Sequence, residues 1–164
     1  VNMATYAKAF GVVGGFVAGE HDLIEYLRVA ARTYMFSGAT LGSLALGVMT
    51  ALEISSSEPA RRHRLWASSK RLRDGFAAQE VNVLGKGETP IVPVLVGDDE
   101  IAQRISSDLF EAGFLAPCIT YPAVAKKYSR IRFSVTSLHT DQQIDELVSA
   151  MSYICKQRGA LMAA

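Results

Sequence analysis

The sequence predicts an α/β segment followed by a compact α+β module. Two patterns indicate this order: stretches of strand length alternate with stretches of helical periodicity, and a polar interruption, SSSEP at residues 55–59, divides the chain. Residues 1–55 are typical of a piece of a larger α/β layer. Residues 56–164 form a module of about 100 residues, which is a common size for a domain.

The first part begins with two predicted strands. Residues 1–6 are typical of the end of a buried strand, and residues 12–18, VVGGFVA, of a second strand whose glycines mark the close approach of another group. Residues 21–32 have helical spacing. Residues 33–43 are predicted to be a short strand that runs into a glycine loop, and residues 44–54 a helix.

A helix over residues 60–79 opens the second part. Its apolar face carries Leu65, Leu72 and Phe76, which we expect to be buried. Its five arginines and one lysine are expected to form a solvated face, as long basic side chains on helices commonly do.

After a predicted loop at residues 85–90, the strand pattern returns. Residues 91–97 are predicted to form a strand at the edge of its sheet, because Pro93 has no amide hydrogen to donate. A helix over residues 98–113 follows, with acidic residues in its first turn. Two further stretches are predicted to be extended, residues 114–123 and 130–137.

The last predicted helix begins at Thr140. Thr140 and Gln143 form a capping-box pattern, which is a signature of a helix start. Apolar residues then recur with the spacing of one buried helix face. They are Ile144, Leu147, Val148, Met151 and Ile154.

Composition and charge exclude several functional classes. Lys plus Arg is 17 and Asp plus Glu is 16, so the net charge of +1 gives no general attraction to nucleic acid or an anionic membrane. The longest apolar stretches contain glycines and are too short to span a bilayer. The two scattered cysteines indicate a reducing compartment, and no Cys/His spacing indicates zinc. We therefore expect a cytoplasmic protein without a membrane span or a metal site.

Lys8 is the candidate catalytic residue. It lies among small residues beside an apolar strand, where desolvation disfavours the ammonium form and makes a neutral, nucleophilic amine accessible. Schiff-base chemistry needs such an amine. Thr5, three residues earlier, could offer its hydroxyl to a phosphate. The residues alone leave open the alternative of a surface lysine in a loop.

Three segments, in order, resemble the α-oxoamine synthases, which are pyridoxal phosphate (PLP) enzymes of fold type I. ATYAKAFGVVGG is similar to their Gly-Thr-x-x-Lys-x-x-Gly pattern followed by Gly-Gly, with Ala4 in place of the first glycine. YLRVAARTYMFSGA resembles their Arg-x-apolar-apolar-Phe-Ser/Thr stretch. SRIRFSVTSLHTDQQI resembles their C-terminal Arg-x-Arg block. The similarity covers residues 4–155.

The resemblance implies a fold and an activity. Residues 1–55 would be the end of the large PLP-binding domain of a fold type I enzyme, and residues 56–164 its small C-terminal α+β domain. The implied activity is that of an acyltransferase that condenses a small amino acid with an acyl-CoA thioester, usually with decarboxylation, to give an α-amino ketone. The implied cofactor is pyridoxal 5′-phosphate, an electron sink, and the implied assembly is a homodimer with a shared active site.

The resemblance also assigns residues to roles. Lys8 would hold the cofactor as a Schiff base and transfer the proton, and Thr5 would contact the cofactor phosphate. Arg132 would bind the substrate carboxylate through both of its oxygens, which suits a guanidinium. Arg130 lies on the same side of the predicted strand, so periodicity alone leaves the two arginines open. The family pattern favours Arg132.

Ser37 lies in the segment that, in this family, reaches the cofactor phosphate of the partner subunit. The family's Ser/Thr-x-x-Leu-Pro-Pro is replaced here by SGATLGS, residues 37–43, without either proline, so we expect a more mobile loop. The resemblance leaves open whether Ser37 or Thr40 contacts the phosphate. His139 matches a family histidine, for which we expect a structural hydrogen bond.

In this family, several cofactor-binding groups precede the lysine. Seven residues precede Lys8, so we expect the chain to be the C-terminal part of a longer protein whose N-terminal half completes the site. One alternative is another fold type I PLP enzyme, such as an aminotransferase, which the SVTSLHT block and the Gly-Gly pair disfavour. Another is a non-catalytic partner subunit, which the presence of Lys8 disfavours.

Overall fold

The computed structural model describes residues 1–85, 87 and 89–159. It divides the chain into two compact units, the first being Val1–Pro59 and the second beginning at Ala60. Each unit has its own small sheet, with two strands in the first and three in the second. The predicted mixture of strands and helices is therefore confirmed. The division into domains at residues 55 and 56 stays a prediction.

The first unit contains a two-stranded antiparallel ribbon. In it β1 (Asn2–Thr5) pairs with β2 (Gly15–Ala18), and the register places Thr5 opposite Gly15. A Cβ atom on Gly15 would lie 2.6 Å from the carbonyl oxygen of Ala4. The predicted close approach at the glycine pair is therefore confirmed. Three helices follow: α1 (His21–Ala30), α2 (Arg32–Met35) and α3 (Gly42–Ser57).

Two predictions for the first unit are wrong. Helix α2 replaces the strand predicted to begin at residue 33, because the amides of Tyr34 and Met35 bond the carbonyl oxygen of Ala31 at 2.9 and 3.0 Å. Strand β1, predicted to be buried, is mostly exposed. Burial of a strand on both sides needs further layers, and among the described residues β2 alone pairs with β1.

The second unit combines three helices with a three-stranded antiparallel sheet. The sheet order is β3-β5-β4, so β3 lies at its edge, as Pro93 predicts. Of the extended stretch predicted at residues 114–123, two residues form a strand. The elements are α4 (Pro59–Ala78), β3 (Ile91–Gly97), α5 (Asp99–Glu111), β4 (Cys118–Ile119), β5 (Ser129–Ser134) and α6 (Asp141–Arg158).

The core of the second unit lies between its helices and the sheet. Phe76 of α4 and Phe133 of β5 are in contact there, with ring centroids 5.2 Å apart. The apolar faces predicted for the first and last helices of the unit are confirmed. Leu72, Phe76, Ile144, Val148, Met151 and Ile154 are buried, and Leu65 and Leu147 are partly buried against them.

Helix starts in the second unit follow local sequence signals. The Thr140 hydroxyl accepts a hydrogen bond from the Gln143 amide at 3.2 Å, and the Gln143 side chain accepts one from the Thr140 amide at 2.9 Å. This confirms the predicted capping box. Asp98 caps α5 by accepting from the amides of Glu100 and Ile101 at 2.9 and 3.0 Å.

Part of the predicted loop at residues 85–90 lies outside the described residues, which omit Lys86 and Glu88. Next to it, the amide of Leu84 donates to the Pro93 carbonyl at 2.8 Å. Arg73 of α4 donates through Nη2 to the carbonyl of Ile91 at 2.7 Å. Helix α4 is therefore bound to the start of β3 by a hydrogen bond as well as by the core. None of the helices in the described part of the chain combines the length and the apolar character needed to cross a membrane.

Candidate active site

Lys8 lies in the connection between β1 and β2, which we call the lysine loop (residues 6–14). The Lys8 carbonyl accepts a hydrogen bond from the Gly11 amide at 3.1 Å, so Lys8 opens a tight turn. At the base of the loop the Tyr6 amide donates to the Gly14 carbonyl at 2.9 Å. The antiparallel hydrogen bonding of the ribbon therefore continues into the loop.

The side chain of Thr5 adds two hydrogen bonds at the same place. Its hydroxyl donates to the Gly14 carbonyl at 3.2 Å and accepts from the Ala7 amide at 3.2 Å. Thr5 is exposed. Its position three residues before Lys8 thus gives it contacts with both sides of the lysine loop.

The Lys8 side chain is exposed in this structure, and the predicted desolvation of its amine is wrong for the described chain. Its neighbours Ala7 and Ala9 are exposed as well. Their methyl groups are too small to cover the lysine side chain, so short neighbours do not desolvate it. The aromatic residues of the loop contact one another instead. Tyr6 lies 5.7 Å from Phe10 in an edge-on arrangement, measured between ring centroids.

Thr5 and Ser37 line one groove of the first unit, which has a volume of about 720 Å³ and lies against β1, β2, α1 and α2. The Ser37 hydroxyl donates to the Tyr34 carbonyl at 3.2 Å. Neither Lys8 nor Thr40 belongs to the lining of this groove. Thr40 is exposed in the segment that precedes α3. Of the predicted residues in this unit, the groove thus joins Thr5 with Ser37.

Arg130 and Arg132 lie on the same face of β5, as predicted, since Ile131 between them is buried. The Arg130 side chain is occupied, because its Nε donates to the Tyr128 carbonyl at 3.0 Å. The Arg132 side chain is exposed, and no hydrogen bond or ion pair to it occurs within residues 1–85, 87 and 89–159. Its main-chain amide donates to the carbonyl of Pro117 at 3.0 Å. Arg132 therefore combines a fixed backbone with an available guanidinium.

His139 has the structural hydrogen bond predicted for it. Its Nδ1 accepts a hydrogen bond from the Thr136 amide at 3.1 Å. Its carbonyl accepts from Nη2 of Arg64 at 3.2 Å. The described residues contain no group of three or more His, Cys, Asp or Glu side chains that could hold a metal ion.

Sequence reasoning missed how the lysine loop is held. The acceptor for both Thr5 and Tyr6 is the carbonyl of Gly14, and no side chain marks such an acceptor in a sequence. A signal was nevertheless present, because a threonine before a tight turn commonly bonds an amide two residues later. Here that amide belongs to Ala7.

The chain is similar to known proteins over almost all of its length. The family described as aminotransferase class I and II matches residues 1–151. The 8-amino-7-oxononanoate synthase of Symbiobacterium thermophilum is 36% identical over 161 residues, and that of Thermoanaerobacter pseudethanolicus is 36% identical over 157 residues. These matches cover 98% and 96% of this chain but 41% and 40% of the relatives. The chain thus spans about two fifths of the length of the curated relatives it matches.

A solved structure of serine palmitoyltransferase with its PLP internal aldimine has a TM-score of 0.89 and 26% sequence identity to this chain. The superposition covers 97% of this chain and 40% of that one. Both enzyme names belong to α-oxoamine synthases, so the resemblance read from the three segments is confirmed. With a family match over residues 1–151, this chain belongs to the PLP-dependent aminotransferase class I and II family and has its fold type I architecture.

Proposed function

We propose that the protein carrying this chain is a PLP-dependent acyltransferase of the α-oxoamine synthase type. It condenses a small amino acid with an acyl-CoA thioester, usually with decarboxylation, to give an α-amino ketone. The observation that carries the proposal is the accessible amine of Lys8 on a hydrogen-bonded loop, in a chain related to 8-amino-7-oxononanoate synthases over almost all of its length.

The residues of this chain fit pyridoxal 5′-phosphate at its aldehyde. The Lys8 side chain is exposed and no described residue bonds to it, so its Nζ is available to hold the cofactor covalently. When bound, the cofactor supplies an electron sink for the negative charge that develops on the substrate Cα. In this proposal Lys8 would accept the proton from that carbon and return it.

The phosphate needs hydrogen-bond donors, and three hydroxyls are proposed for it. A hydroxyl has a single hydrogen to donate. In Thr5 and Ser37 that hydrogen goes to a backbone carbonyl at 3.2 Å, so either side chain must turn before it can contact a phosphate. No described residue bonds the Thr40 hydroxyl, which is exposed. Within residues 37–43 we therefore favour Thr40 over Ser37 as the phosphate donor.

Arg132 is the proposed site for the substrate carboxylate. Its guanidinium can place two parallel N–H groups on the two carboxylate oxygens. Arg130 is less suited because its Nε already donates to the Tyr128 carbonyl. Arg132 lies on the central strand of its sheet, and a site on a strand is more precisely held than one on a loop.

The remaining parts of the site are proposed to lie outside these 164 residues. Because the chain spans about two fifths of its relatives, we propose that an N-terminal half of the same protein supplies further cofactor contacts. A homodimer with a shared active site would bring Ser37 or Thr40 to the partner subunit's phosphate. Cys118 and Cys155 are unpaired, which agrees with the proposed cytoplasmic location.

Release of free CoA tests the proposed reaction. The complete polypeptide that carries this chain is incubated with PLP and with short and long acyl-CoAs, each against glycine, alanine and serine. We expect CoA release that requires both the cofactor and one of the amino acids. Formation of a keto acid without CoA release would instead favour the aminotransferase alternative.

Borohydride reduction tests the third possibility, a non-catalytic partner subunit. Reduction of the PLP-loaded protein fixes the cofactor on the lysine that holds it, and peptide mass spectrometry identifies that lysine. We expect the label on Lys8. A protein that binds its partner but carries no labelled lysine would support the non-catalytic alternative.

A further inference from the structure

We propose that Thr5 is a positioning residue for Lys8, because its hydroxyl closes the base of the lysine loop before any cofactor is bound. The inference rests on the proposed function for the role of Lys8. The closing contacts themselves belong to the described chain and can be tested without that function.

The contacts of Thr5 join both sides of the loop. Its hydroxyl donates to the Gly14 carbonyl and accepts from the Ala7 amide, each at 3.2 Å. The same Gly14 carbonyl accepts from the Tyr6 amide at 2.9 Å, so both of its lone pairs are used. One side chain thereby ties the residue next to Lys8 to the far side of the loop.

Packing does little to fix the backbone around Lys8. Ala7, Lys8 and Ala9 are all exposed, whereas the ring contacts of the loop involve Tyr6 and Phe10. A segment with few buried contacts depends on its hydrogen bonds for a defined conformation. For the residue before Lys8, the described bond is the one that Thr5 accepts.

The positioning role differs from a phosphate contact in a way that can be measured. The single hydrogen of the Thr5 hydroxyl serves the Gly14 carbonyl here, and it cannot serve a phosphate at the same time. Pyridoxal has the same aldehyde as PLP but no phosphate. A positioning role therefore affects the reaction of Lys8 with both compounds, and a phosphate contact affects its reaction with PLP alone.

The first experiment measures the rate of Lys8 modification in the complete polypeptide, by borohydride trapping and mass spectrometry, with PLP and with pyridoxal. Thr5→Val removes both hydrogen bonds of the hydroxyl, and we expect it to slow both reactions at least about fivefold, the factor that corresponds to one ordinary hydrogen bond. Thr5→Ser keeps the hydroxyl and should react at the wild-type rate. Thr50→Val, on the exposed side of α3, is the matched control and should also react normally.

The second experiment measures deuterium uptake at the Ala7 amide in the cofactor-free protein. We expect uptake about fivefold faster in Thr5→Val and unchanged in Thr5→Ser. Unchanged uptake in Thr5→Val, or a rate defect confined to PLP, would overturn the positioning role. If the wild-type protein is labelled at a lysine other than Lys8, the proposed function fails, while the uptake result still decides whether Thr5 closes the loop.

Discussion

Arg71 and Asp145 form a bidentate ion pair between α4 and α6. Nε of Arg71 donates to Oδ1 of Asp145 at 2.8 Å, and Nη2 donates to Oδ2 at 2.6 Å. This side-chain hydrogen bonding holds the pKa of Asp145 below its usual range. A planar guanidinium fits a carboxylate in this way, and a lysine would not reproduce the geometry.

The ion pair predicts how stability depends on pH. Because the pKa of Asp145 is lowered in the folded state, its contribution is present above the unfolded-state pKa and is lost as the pH falls through the folded-state pKa. We expect Asp145→Asn to lower the melting temperature at neutral pH and to have little effect in strong acid. Melting curves followed by circular dichroism at several pH values measure this difference. Asp74→Asn, which removes an exposed i,i+4 pair with Lys70, is the control and should have a smaller effect at neutral pH.

Lys8→Ala should remove both cofactor attachment and turnover. Without the amine no group on the lysine loop can hold the cofactor aldehyde or transfer the proton, so we expect CoA release to fall at least about 100-fold. The absorbance of the lysine-bound cofactor should disappear from the visible spectrum. Lys70→Ala, on the exposed face of α4, should keep both signals. Turnover near the wild-type rate in Lys8→Ala would rule out the assignment.

Arg132→Ala should weaken amino-acid binding without weakening cofactor binding. Each hydrogen bond to a charged group contributes about 1.5–3 kcal/mol. Loss of the two bonds from the guanidinium to the substrate carboxylate should therefore raise the amino-acid KM at least about tenfold. Steady-state kinetics at saturating acyl-CoA give this value. Arg130→Ala is the matched control because Arg130 lies on the same face of β5 but is bonded to the Tyr128 carbonyl. A KM defect in Arg130→Ala alone would show that the roles are reversed.

Gly75→Ala should destabilise the second unit although alanine favours helices. A Cβ atom on Gly75 would lie 2.7 Å from Cγ2 of Val148, and a β-branched side chain has little freedom to move away. We expect a net loss of about 1 kcal/mol, the lower end of the cost of overpacking. Denaturant unfolding measures it. In the double variant with Val148→Ala the two effects should not add, and Gly38→Ala, whose Cβ would meet no atom within 4 Å, should be tolerated.

The two cysteines should differ in reactivity. Burial raises the pKa of the Cys155 thiol to about 11, so little thiolate is present at neutral pH, whereas Cys118 of β4 is partly exposed. We expect iodoacetamide to modify Cys118 in the native protein and Cys155 only after unfolding. Peptide mass spectrometry distinguishes the two sites. Rapid labelling of Cys155 in the folded protein would mean that α6 opens more readily than its packing indicates.

Signals confined to a few neighbouring residues predicted the fold well. The capping box of Thr140 with Gln143 depends on residues three apart, and Pro93 identifies an edge strand by its missing amide. The strand predicted at Tyr34 and Met35 failed although the deciding contact is just as local. Their aromatic and unbranched apolar side chains fit strands and helices alike, and the carbonyl of Ala31 decides between the two by accepting from both amides.

The roles given to the candidate site residues stay predictions. The sequence proposes Lys8 by its residue type and neighbours and Arg132 by the family resemblance. It does not give the exposure of Lys8, since solvent access depends on residues distant in the sequence. The link from Thr5 to Gly14 crosses nine positions and ends on a main-chain oxygen. The structure adds one difference between Arg130 and Arg132 that the sequence does not contain, because the carbonyl bonded by Arg130 is a main-chain group, that of Tyr128.

The edge strand of the second unit has a consequence for self-association. An open strand edge invites pairing with another molecule, and long exposed edges promote aggregation. Two hydrogen bonds already occupy the outer side of β3. The Leu84 amide donates to the Pro93 carbonyl, and the Leu95 amide donates to the Asn82 carbonyl at 2.8 Å. Pro93 itself has no amide hydrogen to donate there. The opposite edge, β4, is two residues long. The small sheet of this unit therefore gives an incoming strand little template on either side, and we expect it to resist edge-to-edge aggregation even at high concentration.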